Sequence, residues 1–147
     1  MMRLLTVFCL GFLSAPLWSF KCYYTLVKDS CWTNYEVSVD VMDSAKQDKI
    51  FTITVPKGES WGRVEFSCTP AQSLMYFSRY SPVFWESEKG KVYPAIRSWS
   101  LPGTINPGDE AWTLNICFSA DFSQIPLPPD AKGNCKCDMS AIPAPKP

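Results

Sequence analysis

The chain has 147 residues, seven cysteines, no histidine, and 14 basic side chains against 14 acidic ones. That length suits a single domain with a substantial core. The missing histidine excludes Ser-His-Asp and Cys-His nucleophile systems and histidine-ligated zinc. Balanced charge, with no basic run interleaved by aromatics, excludes the electrostatic footprint of a nucleic-acid binder.

The N-terminus reads as a signal peptide over residues 1–19. Arg3 supplies the positive start, Leu4 to Leu13 the apolar stretch, and Ser14-Ala15-Pro16 a helix break ahead of a short c-region, Leu17-Trp18-Ser19. Cleavage is expected after Ser19. The apolar run is shorter than the roughly 20 residues that cross a bilayer, so no membrane insertion is expected after cleavage. Removing the segment also removes Cys9, leaving Cys22, Cys31, Cys68, Cys117, Cys135 and Cys137. An even set in an exported chain predicts three disulfides and a periplasmic or secreted location. Connectivity stays open, except that Cys135 and Cys137 are too close in sequence to bond without strain. A local Cys22–Cys31 bridge around Lys28-Asp29-Ser30 is one option.

Strand signals follow at regular intervals. Phe20 to Val27 is aromatic and β-branched; Tyr35, Val37, Val39 and Val41 alternate with polar residues, as do Phe51, Ile53 and Val55. Pro56-Lys57-Gly58 supplies a turn, and Val64 and Phe66 lead to Cys68. Leu74 to Tyr80 is the next strand. Val83 to Ser87 and Val92 to Ile96 are predicted to form a hairpin with Lys89-Gly90 at its tip. In that register Trp85 joins the core with Val83, Val92 and Ile96, while Phe84, Glu86 and Tyr93 point outward. Asn106-Pro107-Gly108-Asp109 is a type II turn, and Trp112, Leu114, Ile116 and Phe118 form the last strand.

No segment carries helical periodicity. Seven or eight short strands predict an all-β, antiparallel β-sandwich, immunoglobulin-like in general architecture, spanning 20–124, with a closed β-barrel as the alternative. From residue 125 to 147 the chain is proline-rich and favours extended or polyproline II backbone. Cys135 and Cys137 should tether its first half, leaving Ser140 to Pro147 loose.

Three residue sets invite a functional reading. Cys135-Lys136-Cys137 has the form of an exchange-active dithiol, but the even cysteine count favours two structural half-cystines. Glu86 and Glu88 would lie on one strand face, about 6.5–7 Å apart at a rise of ~3.3 Å per residue. Such a pair could act as acid and base on a glycosidic bond, but a solvated hairpin with Glu88 facing Lys91 is the favoured account, since such spacing is common by chance. Trp61, Tyr93 and Trp99 fall out of phase with the core or in loops, as exposed aromatics that stack on sugars or anchor a protein do. Leu101-Pro102-Gly103-Thr104 resembles the start of a sortase motif but lacks its glycine and following tail.

No cofactor is implied: scattered glycines make no nucleotide loop, and the acidic residues are not arranged as a metal loop. The leading expectation is an exported, non-catalytic interaction protein whose partner is another protein. A carbohydrate-binding module taking a glycan, and a carboxylate-dependent glycoside hydrolase, are the alternatives. Geometry discriminates among them. A broad apolar patch with a polar rim fits a protein, a flat aromatic strip fits a sugar, and a closed cleft holding two carboxylates fits an enzyme.

Overall fold

A computed structural model describes residues 19–146. The signal-peptide expectation lies outside these residues, apart from Ser19. Eight strands run in chain order: β1 (Phe20–Lys28), β2 (Glu36–Asp43), β3 (Asp48–Val55), β4 (Trp61–Cys68), β5 (Ser73–Ser81), β6 (Tyr93–Pro94), β7 (Trp99–Ser100) and β8 (Trp112–Phe118). They form two sheets, one ordered β4-β1-β8 and the other β3-β2-β5-β6, with β7 also pairing β5. The architecture is the expected β-sandwich rather than a closed barrel. All pairings are antiparallel except that of β1 with β8, which is parallel.

Alternation builds the space between the sheets. Val37, Val39 and Val41 of β2 face Tyr24 and Leu26 of β1, with Ile53, Val55, Leu74, Tyr76, Leu114 and Ile116 around them, all buried. Tyr24 packs edge-on to Tyr76, ring centroids 5.0 Å apart. Gly62 sits where β4 comes close to β3: a Cβ there would stand 3.3 Å from Val55 Cγ2. At one end, Trp32 is fully buried against Tyr35, Tyr80, Phe84 and Phe118.

The disulfides are Cys22–Cys68, Cys31–Cys135 and Cys117–Cys137. Cys22 therefore does not close a local loop with Cys31. β1 lies beside β4, and Cys22 and Cys68 both point into the core between the sheets. The other two bridges bind the proline-rich segment to the sandwich, Cys31 after β1 and Cys117 within β8.

The predicted hairpin at 83–96 does not form: Trp85, Val92 and Ile96 face outward and Phe84 and Tyr93 inward, while Val83 packs on the core and Glu86 is exposed, as expected. Backbone bonds from Glu88 N to Trp85 O, Lys89 N to Glu86 O and Lys91 N to Glu88 O coil Glu86–Glu88 into a 3-10 turn. Only Tyr93–Pro94 pairs with β5. Trp85 is 53 % exposed, whereas Tyr93 is 6 % exposed, stacked on Tyr80 and donating its hydroxyl to Glu88. Phe84 also packs inward, on Trp32 and Tyr80. The aromatic cluster around Trp32 offers more apolar contact than a two-residue hairpin loop would, and it draws Phe84 and Tyr93 inward.

The C-terminal segment is not loose where it is described. Met139–Ala141 forms a 3-10 turn capped by Asp138, and the chain then crosses the outer face of the β4-β1-β8 sheet as far as Lys146.

Candidate binding surfaces

Each residue set singled out in the sequence has a definite place. Cys135 and Cys137 are half-cystines of separate bridges, so neither is a free thiol poised for exchange. Asp29 lies close to the sulfurs of Cys31 and Cys135 in a cluster of metal-ligand type. Those sulfurs are bonded to each other, and the Asp29 carboxylate already accepts from Cys31 N at 2.9 Å and from Ser119 N and Oγ at 3.1 Å each. A disulfide offers no thiolate to a cation, and the Asp29 cluster is a buried turn anchor.

Glu86 and Glu88 occupy a 3-10 turn instead of a strand face, Glu86 exposed and Glu88 half-buried. Glu88 accepts from the Tyr93 hydroxyl and pairs with Lys91 Nζ at 3.2 Å. The bond from Tyr93 holds its carboxyl below the usual range, with Lys91 assisting. A general acid needs a carboxyl raised by desolvation; Glu88 is shifted the other way.

The three aromatics do not share a surface. Tyr93 is in the core, a correction to its expected role as an exposed platform. Its burial and the adjacent Glu88 carboxylate push its hydroxyl pKa up. Trp61 and Trp99 are half-buried, each with a guanidinium against its ring: Arg63 Cζ lies 5.1 Å from the Trp61 ring centre and Arg97 Cζ 4.8 Å from that of Trp99. Each cation–π pair occupies an aromatic face that a sugar would need for stacking.

Another surface has the clearer character of a binding site. On the outer face of the five-stranded sheet, β2 and β5 set Met42 opposite Met75. β5 and β6 set Phe77 opposite Pro94. Ile96, two residues beyond Pro94, is 65 % exposed, and Val92, two residues before it, is 49 % exposed. Met75, Phe77, Pro94 and Ile96 line one shallow groove of 170 Å³ along the β5/β6 border, with Arg97 at its edge, and Met42 extends this apolar strip onto β2. Polar groups rim it. Arg79 Nη1 pairs with Asp40 Oδ2 at 2.7 Å, Thr52 donates to Asp40 Oδ1 at 2.6 Å, and the Ser38 and Thr54 hydroxyls bond across β2 and β3 at 2.9 Å.

The sequence carried a signal for this strip. Leu74-Met75-Tyr76-Phe77 is apolar in both phases of a strand, so β5 must present apolar side chains outward as well as inward. Ile96 could not be placed outward while the hairpin register assigned it to the core. Scans against protein-family models, curated proteins and solved structures returned no match to the chain.

Proposed function

We propose that the chain is exported by a cleaved signal peptide and works outside the cytosol as a non-catalytic binding protein for another protein. The partner docks on the strip formed by Met42, Met75, Phe77, Pro94 and Ile96. Three disulfides support an oxidising compartment. Among the described residues no helix is long and apolar enough to cross a membrane. The observation that carries the reading is the strip itself, a contiguous apolar surface inside a polar rim. Soluble proteins seldom leave such a patch uncovered unless something binds it, and apolar centre with polar rim is the anatomy of protein interfaces. The half-covered Trp61 and Trp99 make the glycan reading weaker, and the turn bearing Glu86 and Glu88 does the same for hydrolysis.

Paired affinity capture from the native compartment tests this. Wild type and Ile96→Lys serve as baits, and the captured protein is then titrated against each. Because Ile96 is mostly exposed, the substitution should leave melting within about 0.5 kcal/mol of wild type. Binding should weaken by tenfold or more, in the range of interface hot spots, about 1.4 kcal/mol and above. Equal binding by both baits would remove the strip from the function.

A further inference from the structure

The opposite side of the molecule carries a second interface, already occupied by the chain's own tail. On β1 the residues pointing away from the core are Tyr23, Thr25 and Val27, and all three are buried. They are covered by Arg63 and by residues 138–146. Arg63 spans the contact: its Nε donates to Thr25 Oγ1 at 2.8 Å and its Nη2 to the Pro143 carbonyl at 2.7 Å, while its guanidinium lies against Trp61. Tyr23 donates its hydroxyl to the Lys146 carbonyl at 3.2 Å. The tail sequence is Ile142-Pro143-Ala144-Pro145-Lys146. Side-chain donors that read carbonyls of an extended proline segment across an aromatic-lined face are the means by which polyproline II ligands are recognised.

The tail fills this face incompletely. Beside Pro145 a hollow of 310 Å³ is lined by Tyr23, Thr113, Gly108, Asp109 and Glu110. Beside Ile142 another of 250 Å³ is lined by Val27, Thr33, Ser60 and Asp138. Asp109 and Glu110 line the first hollow beside Pro145, the residue before Lys146, with Asp109 Oδ2 also accepting from Asn106 N at 2.9 Å. No residue from 139 to 146 is fully buried, so the tail is a peripheral ligand rather than part of the core.

We infer that the outer face of the β4-β1-β8 sheet is a receptor groove for a proline-rich, lysine-bearing extended segment of another protein, held shut by the chain's own tail. A short tether raises the tail's effective concentration to about the millimolar range. A second copy's identical tail gains no contact over the resident one and does not displace it. A foreign segment that also fills the two hollows does.

The test uses the full chain in two forms, native and Pro143→Gly/Pro145→Gly, the second having a tail that no longer prefers the extended conformation. The probe is a fluorescent synthetic peptide of residues 139–147. It should bind the glycine form saturably and about tenfold or more tighter than the native chain, as expected when a tethered competitor is removed. Adding Arg63→Ala to the glycine form should reverse most of that gain, and a peptide with its prolines replaced by glycine should not bind. Equal affinity for the native and glycine forms, or binding to neither, overturns the inference. Concentration-dependent dimerisation of the native chain that Arg63→Ala abolishes also overturns it, assigning the groove to a second copy.

Discussion

Lys28 and Asp29 are adjacent polar residues at the end of β1, and both are buried. Lys28 Nζ donates to the carbonyls of Tyr35 at 2.7 Å, Pro56 at 2.9 Å and Thr33 at 3.4 Å, stitching the loop after β1 to the loop after β3. Desolvation lowers its pKa while Glu59 and Glu36 oppose the shift. Burying an ammonium is tolerable only with such partners, because an unpaired one costs several kcal/mol. Asp43 does comparable work at the end of β2. It accepts from Gln72 Nε2 at 2.8 Å and from the backbone N–H groups of Ala45 and Lys46 at 3.0 Å each. The Gln72 bond, followed by the Lys46 N–H, depresses its carboxyl below the ordinary 3.8. Protonation is thus harder in the folded chain than in the unfolded one. The resulting stability is fully present above the ordinary value and is lost as pH falls through the native one. In urea titrations across pH 2 to 6, Asp43→Asn should flatten the acid limb of the stability profile relative to wild type. An unchanged acid limb would remove Asp43 from that role.

Strand β1 shows how an element's two faces acquire different partners. Its inward residues Tyr24 and Leu26 meet the opposing sheet, and its outward residues Tyr23, Thr25 and Val27 meet Arg63 and the tail. The run from Cys22 to Val27, apolar in both strand phases except for Thr25, is what a strand buried on both faces requires. Its existence was legible from that run; what covers its outer face was not. The disulfides divide in the same way. Cys22–Cys68 lies within the core and closes a separation of 46 residues, while the two others bind the tail. A Cys22→Ser/Cys68→Ser chain should lose about 4 kcal/mol, from the loop entropy that the bridge withholds from the unfolded state. Urea unfolding with the other bridges intact measures it. A loss below about 1 kcal/mol would show that the sheets hold β1 and β4 together without the bridge.

At the scale of the whole molecule, two packed sheets carry two unlike outer faces, one with an open apolar strip and the other crossed by the disulfide-tethered tail. Both proposed interfaces presuppose export. Intact-mass and N-terminal analysis of the natively expressed protein should find a chain beginning at Phe20 with no free thiol. A chain beginning at Met1 and carrying free thiols would contradict export.

Sequence alone determined the class of the fold and the number of its disulfides, because strand alternation, turn residues and an even cysteine set are local properties that survive without knowledge of neighbours. The strands at Tyr35–Val41, Phe51–Val55 and Trp112–Phe118 were legible for that reason. Tertiary structure alone decided the segment from Val83 to Ile96, where alternation fits a hairpin as well as a coiled turn. There the packing of Phe84 on Trp32 and of Tyr93 on Tyr80 overrode the local pattern and left Trp85 and Ile96 outside. It also decided which cysteines meet and where the prolines lie, since both depend on contacts between residues far apart in the chain. The candidate surfaces belong to this second kind: Met42, Phe77 and Ile96 become one strip only through strand register, and Arg63 reaches Pro143 only because the tail returns across β1.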